Sequence, residues 1–244
     1  MLQALMILKT KYMKLIIALL LCLVTVPAFA AEDAQSIIAG VNKKFGQVTD
    51  YTADAYMVFN IPGVKIKSLN GRAFYKKPDK FRIRAKGIFF LPKQNISQHM
   101  NAMLADTRSY TPVLSGYEQV ASVNCAIINI IPLKADGELI IAKLWIDPVK
   151  SLIMHSQVTT KSNGTIETFN TFGNNATQAL PSRIEVRVET AKFKVPKMLA
   201  ADINKSSTDK SKTPPQKYGT IQINFSNYRV NTKLQDAVFT EKDE

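Results

Sequence analysis

Residues 71–84 read GRAFYKKPDKFRIR, and the alternation in and just beyond this stretch decides the fold class. Phe81, Ile83 and Ala85 fall on one side of an extended chain and Arg82, Arg84 and Lys86 on the other, because successive side chains of a strand point to opposite faces. Lys77-Pro78-Asp79 supplies turn chemistry between two such runs. The stretch is therefore predicted to be a β-hairpin with an apolar inner face and a cationic outer face.

The same pattern extends through most of the chain. Alternating runs at 51–61, 64–76, 80–86, 118–132, 138–146, 151–160, 165–172, 182–195 and 218–230 predict a long antiparallel meander. Pro62-Gly63, Asp136-Gly137, Asp147-Pro148 and Asn163-Gly164 mark its turns. Ahead of the strands, residues 31–48 carry Ile37, Val41 and Phe45 at the i, i+4, i+8 spacing of one helical stripe, with Ile38 and Val48 beside it. Gly46 and Asp50 mark the end of that helix. Residues 96–104 fit either period and are read as a strand turning at Asp106. Residues 197–216, which contain KSSTDKSKTPPQ, read as a mobile loop between two strands.

The amino-terminal 30 residues have a different character. Lys9, Lys11 and Lys14 precede the apolar run 15–26, which is shorter than the ~20 residues a membrane-spanning helix needs. Ala28 and Ala30 then occupy the small positions of a signal-peptidase site, so residues 1–30 are expected to be a signal peptide cleaved after Ala30. Met13 is an alternative initiator. Leu21 before Cys22 argues against lipidation, and cleavage leaves Cys125 as the one cysteine of a single domain spanning 31–244. Cys125 sits in VNCAIINII and reads as a buried, inert thiol.

Of the 244 residues, 46% are hydrophobic and the formal net charge is +13, a composition that excludes a disordered or collagen-like chain. Removal of the signal lowers the charge to +10. Between Lys65 and Lys86 nine basic residues face one acid, and between Lys192 and Lys217 seven lysines face two. Lys65, Lys67, Arg82, Arg84 and Lys86 form a candidate docking face for an anionic membrane or membrane protein, where each cation contributes about 1 kcal/mol. A solvated sheet surface is the other reading. Nucleic acid is disfavoured by the lack of a basic helix or an RNP-like strand.

The chain shows no HExxH, no Cys/His cluster, no GxSxG, no Walker loop and no GxGxxG. No enzyme, metal or cofactor is expected.

The order of parts resembles the LolA-type periplasmic lipoprotein carriers and their relatives, the outer-membrane lipoprotein-sorting proteins and RseB amino-terminal domains. The matching pieces are the leading helix, DYTADAYMVF, GRAFYKKPDKFRIR, LWIDPVKSLIMHSQVTTKSNGTIETF at 144–169, LPSRIEV from Leu180 and INFSNYRVNTKLQDAVF at 223–239. The resemblance implies an unclosed, strongly curved antiparallel β-barrel covered by the helix and loops, acting as a monomer. It implies a cavity for lipoprotein or lipid acyl chains, with an inner-membrane donor and an outer-membrane acceptor. Candidate cavity residues are Ile37, Val41, Phe45, Phe81, Ile83, Phe89, Phe90, Trp145, Phe225 and Tyr228. GIFFLP at 87–92 is either core or cavity mouth, and Trp145 and Tyr228 are either wall packing or ligand contacts. Lys77 matches the arginine before proline that helps latch the family's lid, without that residue's planar fork; a plain turn lysine is the alternative. A sensor module that binds a signalling partner, as RseB does, is the second reading of the whole chain.

Overall fold

The structure is a computed structural model that describes residues 33–62, 67–85, 103–134, 136–162, 164–189 and 218–240. The expected signal peptide, the loop at 197–216, and Lys65, Lys86, Phe89 and Phe90 lie outside the described residues.

Helix α1 spans Ala34–Gly46. It starts where Asp33 accepts a hydrogen bond from the Ser36 amide at 2.6 Å, satisfying one of the donors a helix start leaves open. Lys43 and Lys44 lie in its last turn, where cations complement the carbonyl end of the helix.

Among the described residues ten strands follow: β1 (Asp50–Asn60), β2 (Leu69–Lys76), β3 (Lys80–Ala85), β4 (Tyr110–Val120), β5 (Val123–Pro132), β6 (Leu139–Asp147), β7 (Leu152–Thr160), β8 (Gly164–Phe172), β9 (Pro181–Glu189) and β10 (Tyr218–Val230). They form one antiparallel sheet in the order β3-β2-β1-β10-β9-β8-β7-β6-β5-β4. The sheet is an unclosed, curved barrel with β3 and β4 at its edges. A short 3-10 turn (Asn174–Gln178) joins β8 to β9, and helix α2 (Ala237–Thr240) follows β10.

Two expectations are corrected. The run read as one strand at 118–132 is a hairpin, with β4 turning into β5 at Ala121 and Ser122. Both residues have left-handed φ, 46° and 65°, a turn usually built from Asn-Gly and here made without it. Residues 103–105 form a helical turn rather than the end of a strand. Tyr110 Oη donates to the Leu104 carbonyl at 2.8 Å and Asn42 Nδ2 to the same oxygen at 2.5 Å, which ties this turn to β4 and α1.

The inward residues form two apolar clusters. The first joins Ile37, Ile38 and Val41 of α1 to Leu104, Tyr110, Ile128, Ile130, Leu144 and Ile146. The second joins Val48 to Tyr51, Met57, Tyr75, Ile83, Leu180, Ile221, Ile223 and Phe225, with Phe45 packed against it. One helix thus reaches both clusters. Small inward residues let the strands of the second pack closely: a Cβ on Gly71 would meet the Arg84 carbonyl oxygen at 2.6 Å.

Where β10 ends, the buried Asp50 carboxylate holds the chain. It accepts from the Thr232 amide at 2.8 Å, the Lys233 amide at 3.1 Å and the Thr232 and Thr49 hydroxyls at 3.1 Å. Burial alone would raise its pKa, but these bonds outweigh it and hold the carboxyl below its usual range. A depressed pKa gives stability that is present above the unfolded-state value and lost as pH falls through the folded one. Asp50→Asn presents a donor to backbone donors and is expected to cost about 1–3 kcal/mol at pH 7. Urea unfolding should show the gap from the native chain narrowing as pH is lowered below about 4.

Candidate functional site

The inner end of the second cluster is aromatic. Phe45 of α1 lies 5.6 Å from Tyr75, Tyr75 stacks on Tyr51 at 5.2 Å, and Tyr51 meets Tyr228 edge-on at 5.4 Å. Phe225 lies 6.0 Å from Tyr228. Such pairs contribute about 0.5–1.5 kcal/mol each beyond area burial. Tyr228 Oη donates to the Pro181 carbonyl at 2.8 Å, fixing the ring against the start of β9. Burial, with the Asp79 charge, pushes the Tyr75 phenol up to about 12, and burial raises Tyr228 further. Both stay neutral, so this wall presents rings and no charge.

The structure therefore brings Phe45, Phe81, Ile83, Phe225 and Tyr228 together in the second cluster and places Ile37 and Val41 in the first. Tyr51, Tyr75 and Met57 belong to the same lining and were missed. Their signal was alternation itself, since Tyr51 and Met57 share a strand face with Ala53 and Ala55.

Trp145 is corrected: it stands on the outer face. Its neighbour Leu144 points inward, and Trp145 stacks on His155 at 4.0 Å, which stacks on Phe169 at 4.1 Å. Lys143 lies 4.6 Å over the Trp145 ring and Arg187 lies 4.3 Å over Phe169, closing the ladder with cations. Trp145 Nε1 donates to Glu118 at 2.7 Å. His155 Nε2 is buried 3.4 Å from Glu167 Oε1 without a hydrogen bond, that oxygen already accepting from Gln157 at 2.8 Å.

Lys77 reaches α1. Its ammonium donates to the carbonyl of Gly46, the last helical residue, while its amide donates to Thr49 O at 2.9 Å. Asn231 ties the same junction, accepting from the Thr49 amide at 2.8 Å and donating to Gln47 O at 3.0 Å. A helix end leaves carbonyls without partners, and these contacts supply them.

The basic face is not one free patch. Lys76 donates to Leu234 O at 2.8 Å and pairs with Asp236 at 2.7 Å, and Lys80 pairs with Asp236 at 3.0 Å. Arg84 donates to Val238 O at 2.9 Å and lies 5.5 Å over Phe74. The segment after β10 thus covers part of the face that also carries Arg82. Lys67 and Arg72 are exposed.

Cys125 is buried, and burial together with Asp147 and Glu118 pushes its thiol up to about 11, which keeps the nucleophilic thiolate rare at neutral pH. Among the described residues no group of three or more His, Cys, Asp or Glu side chains could hold a metal.

No family model matches the chain, and no curated protein matches it. Solved structures do. A LolA-superfamily protein from Nitrosomonas europaea superposes with a TM-score of 0.53 at 13% identity, covering 86% of this chain and 98% of that one. A DUF1329 family protein from Desulfovibrio piger gives 0.51 at 14% identity, covering 85% and 97%. The chain has a LolA-like fold. Identity this low carries the fold and nothing of the activity.

Two outcomes follow from the geometry. Lys77→Ala should speed amide exchange in residues 34–46 by about fivefold, the size expected for one hydrogen bond, and Lys77→Arg should restore slow exchange by mass spectrometry. For His155, burial lowers the pKa and the Glu167 charge opposes it without prevailing. The unfolded chain then takes the proton more readily below about pH 6.5, so stability falls as pH drops from 7.5 to 5.5. His155→Phe, which keeps the stack, should flatten that part of the urea-midpoint profile.

Proposed function

We propose that the protein binds the acyl chains of a lipoprotein or another lipid on the inner face of its sheet and carries them between membranes. The observation that carries this reading is an apolar inner face across ten unclosed strands, over which, among the described residues, one 13-residue helix packs. A barrel that needed only a core could close on itself. This one keeps both edges apart and places a helix over an aliphatic and aromatic lining, with the Lys77 and Asn231 contacts holding the helix end.

The energetics suit an exchangeable cargo. Each buried CH₂ contributes roughly 0.8 kcal/mol, so a sixteen-carbon chain gains on the order of 10 kcal/mol by leaving water, comparable to what it loses on leaving a bilayer. Transfer is then governed by the donor, the acceptor and the movement of the cover. In this reading the chain is exported, loses its first 30 residues and works in the periplasm as one domain. It takes cargo from an inner-membrane donor and passes it to an outer-membrane acceptor, with Lys67, Arg72 and Arg82 among the docking cations. It has no catalytic step.

Protein purified without detergent should carry lipid detectable by mass spectrometry. Delipidated protein should take up anthroyloxy-palmitic acid with a rise in fluorescence. Absence of both lipid and uptake defeats the proposal.

A further inference from the structure

The inner face is apolar along most of its width, and the exception lies on β7 and β8. The inward positions there include Ser156, Thr168 and Asn170, with Ser156 directly opposite Thr168 and the apolar pair Val158 and Ile166 next along the strands. Leu144 flanks this row from β6, and Val186 and Ile184 flank it from β9. Leu144 belongs to the first apolar cluster, and Ile184 and Val186 pack against the second. The polar row is therefore a seam between the two.

Two of these groups are deeply placed, and Asn170 is half-buried. Thr168 is 2% exposed and Ser156 6%. Asn170 has its orientation set, because Nδ2 donates to the Ile153 carbonyl at 2.9 Å, where the β6–β7 pairing shifts register. Its Oδ1 is shielded from solvent and has no hydrogen-bond partner. A buried acceptor without a donor destabilises a protein, whereas valine or leucine at this position would continue the apolar lining on both sides. The seam is thus costly for packing and useful only to a group that brings a proton donor.

We infer that Asn170, with Thr168 and Ser156, forms a polar subsite within the lipid-binding face, and that it takes the hydrogen-bond-donating head of an acyl ligand, a hydroxyl or an amide N–H. The chain of that ligand lies along the flanking aliphatic residues. Asn170 Oδ1 accepts from the ligand, and the two hydroxyls can each donate or accept beside it. Because the acceptor is shielded, the ligand reaches it only as the groups packed around it move. This inference rests on the lipid-binding proposal above and adds the chemical class of the ligand's head.

The test compares hexadecanol with hexadecyl methyl ether, which share a chain and differ by the donor. Each is titrated against bound anthroyloxy-palmitic acid on the full-length mature protein. The alcohol should compete about three- to tenfold more strongly, the range one net hydrogen bond supplies, although the ether is the more hydrophobic. Asn170→Leu should abolish that preference while the ether still competes. Asn170→Ala, a smaller change, serves where the leucine variant fails to melt cooperatively. Equal competition by the two ligands in the native protein, or a preference that survives both substitutions, overturns the subsite and leaves the lipid-binding reading intact. Failure of the native protein to take up the fluorescent chain at all overturns the lipid-binding reading itself.

Discussion

An antiparallel sheet that does not close leaves one apolar face to be covered, and among the described residues α1 lies over it with no second sheet. Its stripe spans both clusters, with Ile37, Ile38 and Val41 over the first and Phe45 over the second. Thirteen residues of helix extend about 20 Å, at 1.5 Å per residue, so the helix reaches across several strands and is held mainly by its apolar stripe. Gly40 shows how close the approach is, since a Cβ there would stand 2.7 Å from the Ser151 hydroxyl. The remaining attachment is polar and lies in the carboxyl-terminal half, where Asn42 donates to the Leu104 carbonyl, Lys44 to the Lys150 carbonyl, and Lys77 and Asn231 hold the helix end. A cover held by packing along its length and by hydrogen bonds only from Asn42 onward is less tied at its amino-terminal half. This arrangement connects the fold to binding.

Much of this architecture was legible because period-2 alternation survives wherever one face is buried. The hairpin at 71–84, the run at 218–230 and the stripe Ile37–Val41–Phe45 all fall in the elements they predict. What was hidden has local physical causes. The β4–β5 turn uses Ala121 and Ser122 in left-handed conformations, so the sequence carries no Gly or Asn to announce it, and the bulge between Leu114 and Tyr117 breaks the alternation of β4. Residues 103–105 turn helical because tertiary hydrogen bonds to the Leu104 carbonyl hold them, a constraint invisible to a local pattern.

The candidate site was legible in part for a related reason. Large apolar type identifies a lining residue only when the strand's phase is known. Trp145 was placed with the lining on type alone, although Leu144 and Ile146 on either side fix its phase as outward. The converse error hid the seam. Ser156, Thr168 and Asn170 share the inward phase, but small polar residues in a strand look like solvent-facing positions until the sheet places them beside Leu144 and Val186.

The basic hairpin takes a second meaning from the same topology. β3 and β4 are the edges of the sheet, and an edge strand exposes unpaired backbone groups that invite pairing with another chain. β3 is six residues long and carries Lys80, Arg82 and Arg84, and short, charged edges resist such pairing. β4 uses other means, with Pro112 lacking a donor and Gly116 at φ 126° in the irregular stretch between Leu114 and Tyr117. Each edge thus carries its own device against extension, and together they let the sheet stay open. The charge on β3 serves this role whether or not a partner docks there, while Lys67 and Arg72, which are off that edge strand and exposed, have no such structural reason to be cationic. Docking on this face is therefore better sought at Lys67 and Arg72 than at Arg84, whose guanidinium is already engaged by Val238 and Phe74.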